Sequence, residues 1–137
     1  MRLILDTNIL LSALMVRGTP PDYLYEAWRQ GRFELASTER QLEELNRVSR
    51  RPFFQDRLKP SEIGRMVNDI RRLAIMCDPL PRVELSPDPD DDYLLATAEV
   101  ASAHYLVTGD KSDLLVLESY ISTRIITARN MVQRLEK

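Results

Sequence analysis

Acidic residues recur at four places in this chain: Asp6, the pair Glu43-Glu44, the run from Asp88 to Asp92, and Asp110 with Asp113. Carboxylates gathered at one point repel each other and hold their protons unless a cation is present. Mg²⁺ or Mn²⁺, which prefer oxygen ligands, relieve that repulsion. The chemistry within reach of such a set is therefore divalent-metal chemistry. There is no HExxH, no CxxC and no histidine cluster, which argues against zinc. Cys77 is the single cysteine, and His104 is the only imidazole that could activate it, so it reads as a packed small residue. Each acid also has a plainer role. Asp6 could be a helix N-cap, Asp92 a helix-dipole partner, Glu43 and Glu44 solvent-facing residues, and Asp110 a turn residue. What sets Asp6 and Asp110 apart is a neighbouring hydroxyl, in Asp6-Thr7 and in Thr108-Gly109-Asp110.

The elements that must position these acids can be read in order. Leu3-Ile4-Leu5 is an apolar run ending on Asp6-Thr7-Asn8, which reads as a buried parallel strand. Ile9 to Val16 follows as a helix ending at Gly18. Thr19-Pro20-Pro21 supplies an N-cap and first-turn prolines for a helix with Tyr23, Leu24, Ala27 and Trp28 on one face, stopping at Gly31. Phe33 to Ala36 is the second strand. Thr38-Glu39-Arg40-Gln41 resembles a capping box. It opens a helix through about Arg50, with Leu42, Leu45 and Val48/Ser49 inward, and Pro52 ends it. From Pro60 the stripe Ile63, Met66, Val67, Ile70, Leu73 and Ala74 predicts an amphipathic helix.

Ile75 to Cys77 is the third strand. A rigid acidic loop, Ser86 to Asp92, leads into a helix with Leu94, Leu95, Ala98 and Ala101 on one face. His104 to Thr108 is the fourth strand, Asp113 to Ser119 a short helix, Arg124 to Thr127 a fifth strand and Ala128 to Glu136 the closing helix. Strands alternating with helices predict an α/β fold, a three-layer α/β/α sandwich around a parallel sheet of four to five strands with right-handed crossovers. Open α/β sheets carry their chemistry beyond the carboxyl ends of their strands. Asp6 and Asp110 both fall there, Asp92 opens a helix in the same layer, and Glu44 flanks the inward-facing Leu45.

The 137 residues are expected to form one domain, with 44% apolar and 29% charged residues. Neither a signal peptide nor a membrane-spanning run is expected, and the single cysteine agrees with a reducing cytoplasm. A net charge of −2 excludes a wholly basic nucleic-acid binder, but the charge is uneven. Arg40 to Arg72 holds nine Lys/Arg against five Asp/Glu, whereas Glu84 to Glu118 holds one Lys against nine Asp/Glu. An acidic pole beside a basic flank suits a metal site next to a phosphate-backbone track.

These residues resemble the PIN-domain ribonuclease family, in particular the toxins of VapC-type toxin–antitoxin pairs, over nearly the whole chain. Leu3-Ile4-Leu5-Asp6-Thr7-Asn8 is similar to the family's opening strand and first acid, and Glu44-Leu45 to its helical glutamate. Asp92-Tyr93-Leu94-Leu95-Ala96 is similar to D-x-x-[LI]-A, and Thr108-Gly109-Asp110 to [ST]-x-D. The resemblance implies metal-dependent cleavage of single-stranded RNA, by in-line attack of water on phosphorus. It implies that Asp6, Glu44, Asp92 and Asp110 hold Mg²⁺ or Mn²⁺, that Asp113 joins through water, and that Thr7, Asn8 and Thr108 orient the carboxylates. In the branch that shares the Asp88 to Asp92 run, an asparagine usually stands where Asp92 stands here. Asp91 is therefore the alternative third ligand; Asp92 is preferred because Ala96 then falls in register.

The resemblance further implies a cytoplasmic homodimer, for which Tyr23, Leu24, Tyr25 and Trp28 offer apolar surface, and a small cognate antitoxin that covers the acids. RNA phosphates would be met by some of Arg47, Arg50, Arg51, Arg57, Lys59 and Arg65, contacts that carry no base information. No aromatic platform for unstacked bases is evident.

Two other enzyme classes share a strand-end aspartate. A haloacid-dehalogenase-like phosphatase needs a second aspartate two residues on, where this chain has Asn8. A receiver domain needs a phosphoacceptor aspartate after its third strand, which Cys77-Asp78-Pro79 fits poorly. The remaining alternative is a PIN fold serving as a catalytically silent binding module.

Overall fold

The computed structural model describes residues 1–81 and 92–136. Six strands form one sheet in the order β3-β2-β1-β4-β6-β5. They are β1 (Arg2–Leu5), β2 (Glu34–Ser37), β3 (Ile75–Met76), β4 (Tyr105–Val107), β5 (Ser119–Tyr120) and β6 (Thr123–Ile126). Every pairing is parallel except β5 with β6. Seven α-helices are described: α1 (Thr7–Met15), α2 (Pro20–Arg29), α3 (Glu39–Val48), α4 (Pro52–Gln55), α5 (Pro60–Leu73), α6 (Asp92–Ala101) and α7 (Ala128–Leu135).

The pleat of β1 explains the layering. Leu3 and Leu5 point to one face of the sheet and Ile4 to the other, as alternate strand residues must. Leu3 and Leu5 join a core built from α1, α2, α3, α5 and α7, including Leu10, Leu24, Trp28, Leu42, Leu45, Ile70 and Met131. Ile4 joins a second core with Ala36, Leu106 and Ile125 from the sheet, Leu94, Leu95 and Ala98 of α6, and Leu114. Helices thus cover both faces, the expected α/β/α arrangement. Among the described residues no helix is long and apolar enough to cross a membrane.

Helix boundaries follow local chemistry. Thr19 caps α2 by accepting from the Asp22 amide, with prolines in the first turn, and Gly31 takes φ +78° just beyond its end. Thr38 Oγ1 accepts from the Gln41 amide at 3.1 Å, as a capping box requires. Gln41 does not complete the box. Its Nε2 donates to the Leu5 carbonyl at 2.7 Å and its Oε1 accepts from Ser37 Oγ at 2.6 Å. The side chain instead ties α3 to the carboxyl ends of β1 and β2.

Several expectations are corrected. The sheet has a sixth strand: the segment expected as a helix from Asp113 to Ser119 is a 3-10 turn, Leu115–Leu117, followed by β5. Pro52, expected to end the helix before it, also starts α4. Leu73, expected on the buried stripe of α5, is 58% exposed. Of the residues expected to offer apolar surface, Leu24, Tyr25 and Trp28 are buried in the chain's own core and Tyr23 is half-buried against it. The residues 82–91, which contain most of the expected acidic loop and Asp91, lie outside the described residues.

Candidate active site

Strand order places the site. From β1 the chain winds through β2 and β3 on one side, then returns to set β4 on β1's other side. The β1/β4 junction is therefore a topological switch point, where a crevice opens beyond the carboxyl ends of the strands. The register Leu3↔Tyr105, Ile4↔Leu106, Leu5↔Val107 makes Asp6 and Thr108 the next neighbours in line. The Asp6 amide donates to the Val107 carbonyl at 2.9 Å, and Thr108 Oγ1 donates to Asp6 Oδ2 at 2.6 Å. The same Thr108 oxygen accepts from the Asp110 amide at 3.0 Å. One buried hydroxyl thus links both strand-end acids.

Asp6 stands at the N-cap position of α1, but its side chain makes no capping hydrogen bond. It is turned to Thr108 and is only 7% exposed. Burial pushes its carboxyl above the ordinary 3.8; the Thr108 hydrogen bond opposes this, and the charge of Glu44 adds to it. The α1 amides of Thr7 and Asn8 also favour the ionised form. A buried acid made uncomfortable by a second acid is a pattern found at functional sites. Asp110 has the turn role foreseen for it and also borders the crevice. Its Oδ1 accepts from the amides of Ser112 and Asp113 at 3.0 Å each.

The crevice encloses about 520 Å³. The sheet and α1 contribute Asp6, Asn8, Ile9, Ser12, Gly109 and Asp110. The opposite wall is a single face of α3 and its extension, where Glu44, Arg47, Val48 and Arg51 follow at i, i+3, i+4 and i+7. The phase of that wall is set by Leu42 and Leu45, both buried. Each contributes about 1.5–3 kcal/mol on burial, more than any solvated position of Glu44 could offset. Arg50 faces away, into a separate hollow with Asn46 and Ser49. Of the arginines expected to meet phosphate, Arg47 and Arg51 therefore border the acids and Arg50 does not.

Asp92 is buried in the first turn of α6 and is not among the described residues that line the crevice. Asp92 and Glu99 stand two turns apart on one face of α6, and burial first, then the charges of Glu99 and Asp92, raises the Tyr120 hydroxyl. The next residue, Tyr93, is the one that turns to the acids, and the sequence motif passed over it as a spacer. Its hydroxyl donates to Glu44 Oε1 at 3.1 Å and lies 3.3 Å from Thr7 Oγ1. Burial first, then the charge of Glu44, pushes the phenol well above its ordinary range. Arg40 lies over the ring, 4.7 Å from its centroid. Thr7 thus reaches Glu44 through Tyr93. Asn8 is exposed at the crevice rim. Asp113 is half-buried, its amide on Asp110.

As a cation site the crevice fits in kind. Asp6, Glu44 and Asp110 offer carboxylate oxygens only, and Asp6 is a carboxylate whose charge the surroundings disfavour. Among the described residues, no three His, Cys, Asp or Glu are grouped closely enough to form a complete metal site. No curated protein matches the chain. A family model described as PIN domain matches residues 2–112, from the first strand through the Asp110 turn, so the chain belongs to the PIN-domain family, whose members are in general nucleases that work with divalent metal ions.

Proposed function

We propose that this protein is an Mg²⁺- or Mn²⁺-dependent endoribonuclease acting on single-stranded RNA, and that it is the toxin of a type II toxin–antitoxin pair. The observation that carries the catalytic part is the crevice itself, with Asp6 and Asp110 on the sheet side and Glu44, Arg47 and Arg51 on the α3 side. In this reading the three acids hold the ion. A divalent cation there would supply a lowered pKa for water and neutralise charge on the phosphoryl oxygens. Thr108 holds the Asp6 carboxylate in place and favours its ionised form, and Tyr93 tethers Glu44. Arg47 and Arg51 draw phosphates to the rim. The histidine of the chain, His104, accepts from the Arg2 amide at the opposite, amino end of the strands, so proton transfer falls to the carboxylates.

Cleavage of a labelled single-stranded RNA should be lost with EDTA and restored by Mg²⁺ or Mn²⁺. Full activity in EDTA, with bound metal excluded by elemental analysis, defeats the reading. A catalytically silent binding module has one observation on its side, the absence of a closed group of three metal-binding side chains among the described residues. Titration with Mn²⁺ separates the two, since a silent module binds none in the crevice. A homodimer and a small antitoxin that covers the acids belong to the same proposal. Light scattering tests the first, and inspection of the reading frames adjacent to the gene tests the second.

A further inference from the structure

The basic wall of the crevice does not end at Arg51. Between Arg47 and Lys59 the chain carries Arg47, Arg50, Arg51, Arg57 and Lys59 against a single acid, Asp56. Within this stretch Phe53, on α4, is 56% exposed, while the next residue, Phe54, packs against the core. The Phe53 ring is held in place. The Arg57 guanidinium lies 4.3 Å from its centroid, and Phe54 meets it edge-on at 5.0 Å and 88°. Arg57 also donates to the Phe53 carbonyl, which fixes guanidinium and ring as one unit. Leaving a phenylalanine in water forgoes burial that its neighbour achieves in part, and here the exposed ring carries a guanidinium. Phe53 follows Arg51 by two residues, a backbone reach of about 7 Å at most, and Arg51 lines the crevice.

Exposed ring, guanidinium plane and phosphate-seeking cations make a combination suited to unpaired bases. Aromatic rings and guanidinium planes stack on any base, while the flanking cations track the backbone. An acidic protein segment would satisfy the charges but has no use for a flat ring bearing a stacked cation. We propose that Phe53, with Arg57, is a base-stacking subsite for single-stranded nucleic acid whose backbone passes Arg51 and Arg47 on its way to the acidic crevice. This rests on the ribonuclease reading, and it adds a preference for unpaired over paired substrate that the acids alone do not explain.

The test is fluorescence anisotropy with a labelled oligouridine and with an RNA duplex of equal length, Ca²⁺ replacing Mg²⁺ to neutralise the acids. Phe53→Ala should weaken oligouridine binding by roughly 5- to 100-fold, the range for one base stacked on an aromatic side chain. Its salt dependence should be unchanged, because no phosphate contact is removed. Phe53→Tyr should bind as wild type, and duplex affinity should not respond to either change. Arg47→Ala with Arg51→Ala should instead flatten the salt dependence. Melting curves of Phe53→Ala should match wild type, since the ring is exposed. If Phe53→Ala binds oligouridine as tightly as wild type, or loses duplex affinity equally, the subsite is refuted while the ribonuclease reading stands. If the wild-type protein binds no single-stranded RNA, both fall.

Discussion

Thr108→Val tests the heart of the site with little change of shape. Thr108 is completely buried, and its hydroxyl serves both strand-end acids: it donates to Asp6 Oδ2 at 2.6 Å and accepts from the Asp110 amide at 3.0 Å. Valine fills the same space, so no cavity term enters. Losing a hydrogen bond to a charged group costs about 1.5–3 kcal/mol. Leaving the Asp110 amide without its partner costs about 1 kcal/mol more, discounted because Asp110 is only half-buried and water can reach it. The added methyl returns about 0.8 kcal/mol, so a net loss of about 2–3 kcal/mol is expected near neutral pH.

The pH dependence has a definite sign. Burial already raises the Asp6 carboxyl above 3.8, and the Thr108 hydroxyl is the largest influence holding it down. Without that hydroxyl the folded-state pKa rises further. A raised acid contributes stability below its unfolded pKa and loses it as pH rises through the folded value. The penalty of Thr108→Val should therefore be small near pH 4 and reach its full size well above the folded pKa of Asp6. Urea unfolding in EDTA at pH 4.5 and 7.5, with Thr108→Ser as the hydroxyl-retaining control, measures this directly. A variant as stable as wild type at pH 7.5, or one equally weakened at both pH values, would refute the reasoning.

Three further outcomes follow from the same geometry. Asp6→Asn removes a charge that burial and Glu44 both disfavour, so the metal-free protein should be at least as stable as wild type near neutral pH while cleavage is lost; a variant that unfolds, or cuts normally, makes Asp6 a structural residue. Tyr93→Phe keeps the ring beneath Arg40 but releases Glu44, and calorimetry should find Mn²⁺ bound roughly 5- to 10-fold more weakly, the worth of about one hydrogen bond; unchanged affinity would show that Glu44 needs no tether. Asp92 does not line the crevice, so Asp92→Asn should weaken Mn²⁺ binding less than Asp6→Asn does, and an equal loss would put Asp92 on the ion.

Much of the frame was legible because local signals and packing agree. Leu3-Ile4-Leu5 is buried on both faces of the sheet, and a continuous apolar run is what such a strand requires. Thr19 with Pro20, and Gly31 at positive φ, bound α2 by backbone chemistry that needs no tertiary context. β5 was hidden for the converse reason. Its hairpin turns at Ile121, which takes φ +54° and is exposed. A β-branched residue there is an outlier that tertiary pairing must impose, so no Asn or Gly marks the turn. Gln41 was hidden because its partner, the Leu5 carbonyl, lies 36 residues away. Phe53 could be weighed as a platform only once the structure separated it from Phe54, which packs half-buried against the core.

The acids themselves show where spacing stops being a guide. On a strand, residue identity and edge position fix direction, and Asp6 with Thr108-Gly109-Asp110 fell where the sequence placed them. On a helix, one residue is a rotation of about 100°, and only packing sets the phase. Leu45 sets it for α3, which is why Glu44 borders the crevice with Arg47 and Arg51 while Glu43 and Arg50 do not. Leu94, Leu95 and Ala98 set it for α6 against Ile4, Ala36 and Leu106. That phase brings the Tyr93 hydroxyl to Glu44. Tyr93 gives Glu44 a hydrogen-bond donor, which orders that carboxylate without adding another negative charge.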